Sequence, residues 1–219
     1  MTIKLSKSSM SLIEDCPRCF WLQIVKKIRR PAGIFPSLPS GMDRILKEHF
    51  DKFRENNDLP PELKKNNLNV KLFNDKELLK LWRNNRKGIE YYDKENDIIL
   101  MGAVDDILDN NGKLIVLDYK TRGFDLKEDT AHMYKDQVNI YNFLLRKNGY
   151  KTEDYAYLLF YMPEKVLETG EIIFKSELIK MKVDVEHAEI LFKRAIKIIK
   201  GECPESGKDC KYCKWCGIR

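Results

Sequence analysis

No stretch of this 219-residue chain is hydrophobic for long. The longest apolar run, residues 155–162, is eight residues, where a membrane-spanning helix takes about 20. The first twenty residues lack the apolar centre of a secretory leader. The expectation is therefore a soluble, cytoplasmic protein with no membrane partner. A strong charge of one sign is missing too. The 40 basic residues against 34 acidic ones leave a net +6. That bias is compatible with nucleic acid but does not argue for it, since a solvated lysine-rich surface gives the same balance. No internal repeat or low-complexity segment is present.

What the chain does have is a globular composition, 43% hydrophobic and 34% charged. Its length suits one ample domain over 1–219. Six cysteines fall in two groups, Cys16 and Cys19 near one end and Cys203, Cys210, Cys213 and Cys216 near the other. A cytosolic chain does not keep such cysteines as disulfides. Their clustering predicts a metal or cluster site that ties 1–30 and 201–219 into a Cys-bearing appendage.

The order of elements reads as helices, three strands, a helix, two strands, a helix and the cysteine tail. Residues 6–28 read as one helix or two, with serine caps and a break at Pro17. After a Pro/Gly/Ser loop, a helix from Ser40 to about Arg54 carries an apolar stripe of Met42, Ile45, Leu46, Phe50 and Phe53. His49 shares that stripe. Residues 55–75 read as a loop with little fixed structure, and 75–88 as a short helix. A strand near 89–92 precedes the central feature. Beyond it come a helix over 130–147 stopped by Gly149, strands over 155–162 and 172–183, and an amphipathic helix over 185–200.

The central feature is residues 98–121, two strands joined by a turn at Asn110-Asn111-Gly112. Asp118 and Lys120 share a face of the second strand, with Leu114 and Val116 behind them. Asp105 and Asp106 lie near the end of the first strand and face opposite ways. Carboxylates and a lysine on adjacent strand ends suit a divalent metal beside a phosphate.

Singly these signals are weak, but their order is specific. His49 on a helix is followed by Gly102-Ala103-Val104-Asp105. Thirteen residues after that aspartate comes Asp118-Tyr119-Lys120, and then Gln137-Val138-Asn139-Ile140-Tyr141 on a helix. The set resembles the PD-(D/E)XK nuclease superfamily, and within it the RecB-like branch, which includes the AddB nuclease domain and CRISPR-associated adaptation nucleases. Cys16-Pro17-Arg18-Cys19-Phe20-Trp21 is similar to the opening of that branch.

The resemblance implies an α/β (α+β) restriction-endonuclease-like core. A central mixed sheet is flanked by helices, and the Cys-rich tail packs on the N-terminal helix. It implies a metal-dependent DNA nuclease, an exonuclease on single strands or duplex ends, in repair, recombination or defence. Asp105, Asp118, His49 and the Tyr119 backbone carbonyl would hold Mg²⁺ or Mn²⁺. Lys120 would orient water and offset charge on the phosphate, and Gln137 and Tyr141 would position the site. The Gly-x-Val-Asp pattern selects Asp105 over Asp106. The partner implied is DNA, with any helicase on a separate chain because no helicase motif is present. The alternative reading is a non-catalytic nucleic-acid-binding module on the same fold.

Some members of that branch hold a [4Fe–4S] cluster on one N-terminal and three C-terminal cysteines. The matching residues here are Cys16, Cys210, Cys213 and Cys216. Cys19 and Cys203 are spare and could substitute. The spacing of Cys213 to Cys216 departs from the usual pattern, so Zn²⁺ held by Cys16, Cys19 and two tail cysteines is the alternative.

Overall fold

A computed structural model describes residues 2–215. Among them, eight strands form two mixed sheets. In the smaller sheet β4 (Ile98–Gly102) lies between β1 (Ile3–Ser6), which runs parallel to it, and β3 (Ile89–Asp93), which runs antiparallel. The larger sheet runs β2 (Lys71–Leu72), β5 (Asp106–Asn110), β6 (Lys113–Thr121), β7 (Tyr155–Val166) and β8 (Ile172–Lys182). Only β6 and β7 are parallel there. A parallel pair needs a crossover. It is supplied by a 3₁₀ turn at Ala131–Tyr134 and helix α6 (Lys135–Lys147), numbered after the earlier helices α1 (Lys7–Asp15), α2 (Pro17–Val25), α3 (Ser37–Glu55), α4 (Pro61–Lys64) and α5 (Lys76–Trp82). After β8 come α7 (Val185–Lys200) and the short α8 (Lys211–Trp215).

The larger sheet is buried on both faces because β6 alternates between two cores. Leu114 and Val116 pack with α6 and α7 residues such as Val138, Leu145 and Ala188. Ile115, Leu117 and Tyr119 pack instead with Leu46 and Phe50 of α3 and Leu63 of α4. Residues 138–145 of α6 are buried without interruption, which a crossover helix wedged between a sheet and α7 requires. Its two buried amides are each half engaged: Asn142 donates to the Val138 carbonyl and Asn139 accepts from the Asp184 N–H, while Asn142 Oδ1 and Asn139 Nδ2 are buried without a hydrogen bond among the described residues. The mixed sheets flanked by helices are those of the restriction-endonuclease-like class.

Local chemistry explains the ends. Ser6 caps α1 in a capping box with Ser9, and Pro17 opens α2 at its first turn. Asp75 caps α5 and Asp184 caps α7. The hairpin loop is two residues, since Asn110 pairs with Lys113. Asn111 and Gly112 both take positive φ, 51° and 86°, the pair of left-handed conformations a type I′ turn demands.

Three expectations need correction. Residues 98–110 are not one strand. The chain leaves the smaller sheet after Gly102 and enters the larger one at Asp106, so the hairpin's first arm is β5 alone. Residues 55–75 are not a structureless loop, because they supply α4 and the edge strand β2. Helix α3 begins at Ser37, three residues before Ser40. A short strand β1 at the start of the chain had no sequence signal.

Among the described residues no helix is long and apolar enough to cross a membrane.

Candidate active site

The site forms where β5 stops short of β6. Their last pair is Asp106 with Leu117, so Asp118 to Thr121 continue past β5 and pair only with β7. Asp105, just outside β5, turns into the vacated edge. Its Oδ2 accepts the Tyr119 N–H at 2.9 Å. A strand residue sends its N–H and C=O to the same edge in a parallel ladder, so the main chain of Tyr119 faces Asp105.

Asp118 is 1% exposed. Gln137 Nε2 donates to its Oδ1 at 2.7 Å, and its Oδ2 forms an ion pair with Lys120. The same Gln137 nitrogen lies 3.0 Å from the Tyr141 hydroxyl, while its Oε1 accepts from Lys120 Nζ at 3.3 Å. One amide thus fixes a carboxylate, an ammonium and a phenol. The Lys120 ammonium also stands 4.6 Å over the Tyr134 ring. Gln137 and Tyr141 can do this together because they are one helical turn apart.

Charge accumulates here. Burial and the facing Asp118 carboxylate push Asp105 up to about 7, while Lys47 and Lys120 pull against the rise. Burial alone would lower the Lys120 ammonium, but Asp118 and Asp105 outweigh it and its pKa is raised. Burial, then Asp118 and Asp105, raise the Tyr141 phenol.

Asp105, Asp118, Lys120, Gln137, Tyr141 and the Tyr119 main chain are therefore one group. His49 is not part of it. Its Nε2 lies 3.2 Å from Glu62, and its ring packs edge-on against Phe50 and Phe53. The α3 residue that does reach Asp105 is Lys47, 3.3 Å from one carboxylate oxygen and 2.7 Å from Asp43. Residues two apart on a helix differ by about 200° in direction, so Lys47 and His49 leave α3 on different sides. Sequence reading missed Asp43 and Lys47. The signal was a pair of charges at i and i+4 that continues into Phe50 and Arg54, a face too buried for surface charge. It also missed Lys7 at the start of α1, where burial and the nearby Lys120 depress the ammonium while Asp118 pulls it up. A lysine after a capping serine gives no warning of that.

Asp106 points the other way and is fully buried. It is an ion-pair partner of Arg54 and, at 2.8 Å, of Arg83, and it accepts the Tyr119 hydroxyl at 2.7 Å. Its role is to anchor α3 and the segment after α5 to the sheet.

At the far end of α1 from Lys7, Cys16, Cys19, Cys210 and Cys213 are buried together, with all four sulfurs within 4.8 Å of one another. Cys19 is thus in the group. Cys203 is exposed and outside it, and Cys216 lies outside the described residues.

A mixed sheet that presents two carboxylates and a lysine from adjacent strand ends, steadied by a crossover helix, is the architecture of metal-dependent nucleases. The family comparison agrees. The family model of the PD-(D/E)XK nuclease superfamily matches residues 4–218, and the chain belongs to that superfamily. Among curated proteins none matches. A solved structure titled "Crystal structure of SSO0001" aligns over 99% of this chain and 85% of that one, at 18% identity and a TM-score of 0.43. Membership of the superfamily implies a metal-dependent nuclease.

Proposed function

We propose that the protein is a Mg²⁺- or Mn²⁺-dependent deoxyribonuclease, a RecB-like exonuclease that hydrolyses phosphodiester bonds in single strands or at duplex ends. DNA is its partner, in repair, recombination or defence. The observation that carries this reading is Gln137, whose one amide holds Asp118, Lys120 and Tyr141 in register beside Asp105.

Hard oxygen donors from Asp105, Asp118 and the Tyr119 carbonyl fit a divalent cation, which when bound polarises the scissile phosphate and makes a coordinated water acidic. The chain's own residues do the rest. Lys120 offers a fixed ammonium to the phosphate and to an attacking water. Asp118 and Gln137 keep that ammonium from swinging into solvent. Lys47 offsets the Asp105 carboxylate. Lys7 adds a second positive group on the Lys120 side of the cleft, where substrate phosphate brings negative charge.

The test is cleavage of end-labelled single- and double-stranded DNA, with RNA as a parallel substrate, with and without Mn²⁺. Cleavage should need the metal and collapse in D118A and K120A while both stay folded. Parent-like rates in those variants would refute the site. Tight binding without cleavage of any substrate would establish the non-catalytic module instead.

A further inference from the structure

The cysteine group is at odds with a four-iron cluster. In such a cluster each thiolate binds its own iron, so the four sulfurs must spread around a cage. Four thiolates on one tetrahedral ion sit about 2.3 Å from it and therefore about 3.8 Å from one another. Here Cys16 lies 3.7 Å from Cys213, and Cys19 lies 3.5 Å from Cys210 and 3.7 Å from Cys213. These three separations are too long for a disulfide bond, which is about 2.05 Å, and match edges of a single-ion tetrahedron, and the other three pairs lie within 4.8 Å.

The surroundings are those of a built site. All four cysteines are nearly excluded from solvent, from 0% exposure at Cys16 to 7% at Cys213. They come as two Cys-x-x-Cys pairs, each across the start of a helix: Cys16 precedes α2 and Cys19 lies in its first turn, while Cys210 precedes α8 and Cys213 lies in it. That spacing directs both sulfurs of a pair to one point. Polar groups meet the sulfurs from outside. The Gly207 N–H donates to Cys16 Sγ at 3.2 Å, and Arg30, itself 3.0 Å from Asp15, donates to Cys210 Sγ at 3.7 Å. Such outer contacts orient thiolates and offset their charge. The tail also approaches too closely for a side chain at Gly207, where an added Cβ would stand 2.5 Å from the Asp15 carbonyl oxygen.

We propose that Cys16, Cys19, Cys210 and Cys213 hold one tetrahedral Zn²⁺, and that Cys203 and Cys216 are not ligands. The ion staples the α1–α2 corner to the C-terminal tail. Through α1 it fixes the helix that presents Lys7, and it takes no part in chemistry at Asp105 and Asp118.

The experiment is metal analysis of the purified full chain, with its absorption spectrum, alongside C19S, C213S, C203S and C216S. One zinc per chain and a colourless protein are expected. C203S and C216S should keep the full equivalent, and C19S and C213S should lose most of it. Replacement by Co²⁺ should give the visible bands of a tetrahedral thiolate complex in the parent and in C216S. If C19S fails to fold, the silent C216S and the cobalt spectrum still decide the matter. A brown protein with iron and sulfide in equal amounts, lost in C216S but kept in C19S, would overturn the proposal. A parent protein with no bound metal would overturn it as well.

Discussion

Two neighbouring aspartates should respond to the same substitution with opposite signs. Asp105 is a carboxylate held near another carboxylate. The rise from an ordinary 3.8 to about 7 corresponds to about 4 kcal/mol when the group is ionised. The side chain is 20% exposed, and solvent screening lowers this to roughly 2–3 kcal/mol. D105N removes the charge and keeps an oxygen to accept the Tyr119 N–H, so at pH 8 without added Mg²⁺ or Mn²⁺ it should stabilise the fold by that amount. Asp106 is a carboxylate between two guanidinium groups. D106N leaves Arg54 and Arg83 short of a buried counter-charge, which costs about 3–5 kcal/mol when nothing compensates. Arg54 keeps Asp51 at 2.5 Å and the Phe73 carbonyl, and Arg83 keeps Asp51 at 2.8 Å and the Asp105 carbonyl. The loss should therefore lie at the low end, about 3 kcal/mol.

The two variants would then differ by about 5 kcal/mol in urea unfolding at pH 8, a large part of a typical domain's stability. The pH dependence separates the causes further. An acid whose folded pKa is raised costs nothing below its unfolded pKa, and the cost grows as pH rises to the folded value. The advantage of D105N should thus be complete above pH 7 and shrink as pH falls from 7 towards 4. A destabilised D105N at pH 8, or an advantage that ignores pH, would refute the assignment of Asp105 as the strained, functional carboxylate and Asp106 as the structural one.

Below pH 7 a cation must displace a proton from Asp105, so apparent Mn²⁺ affinity should fall about tenfold per pH unit there and level off above; calorimetry in buffers of different ionisation heat would show the released proton. Replacing Gln137 with Ala should lower kcat by about 10²-fold, because Lys120 and Asp118 lose their shared anchor, and should cost about 1–3 kcal/mol of stability, because the buried Asp118 Oδ1 loses its donor. H49A should leave metal-dependent cleavage within a few-fold of the parent, and a collapse in Mn²⁺ affinity would restore the histidine as a ligand. In G102A the new Cβ would stand 2.7 Å from the Tyr141 ring, so thermal unfolding should show a loss of about 1–3 kcal/mol and cleavage should fall as Tyr141 and Gln137 shift.

The sequence made some of this visible for definite reasons. Asp118 and Lys120 could be placed on one face because strand alternation is rigid, and the Gln137–Tyr141 pair because a helical turn is. Proline, serine and glycine marked the breaks at Pro17, Ser6 and Gly112. Asp105 and Asp106 could be told apart by direction, but not by fate, because the arginines that neutralise Asp106 come from residues 52 and 23 positions away. His49 is placed at the site by the resemblance, and its contacts here are with Glu62, Phe50 and Phe53, because a position on a helix says which residues are neighbours, not which end of the sheet they face. Only the packing of α3 on Tyr119 and Leu117 decides that Lys47 and Asp43 look towards Asp105. The division of residues 98–110 between two sheets was invisible, since Gly102 to Asp106 keeps the alternation of a continuous strand. The place of Cys19 in the cysteine group was equally open, because spacing alone suits several sets of four.

That division has a mechanical meaning. Asp118 is carried by the larger sheet, whereas Asp105 sits on the three-residue seam between β4 in one sheet and β5 in the other. Among the described residues, no ladder of hydrogen bonds joins the two sheets directly. They are held together by one shared core, in which Ile98 and Leu100 of β4 and Leu114 and Val116 of β6 pack with Val138 and Leu144 of α6. The spacing of the two carboxylates is therefore set by side-chain packing, so a substitution in that core would reach the site without touching any residue that lines it.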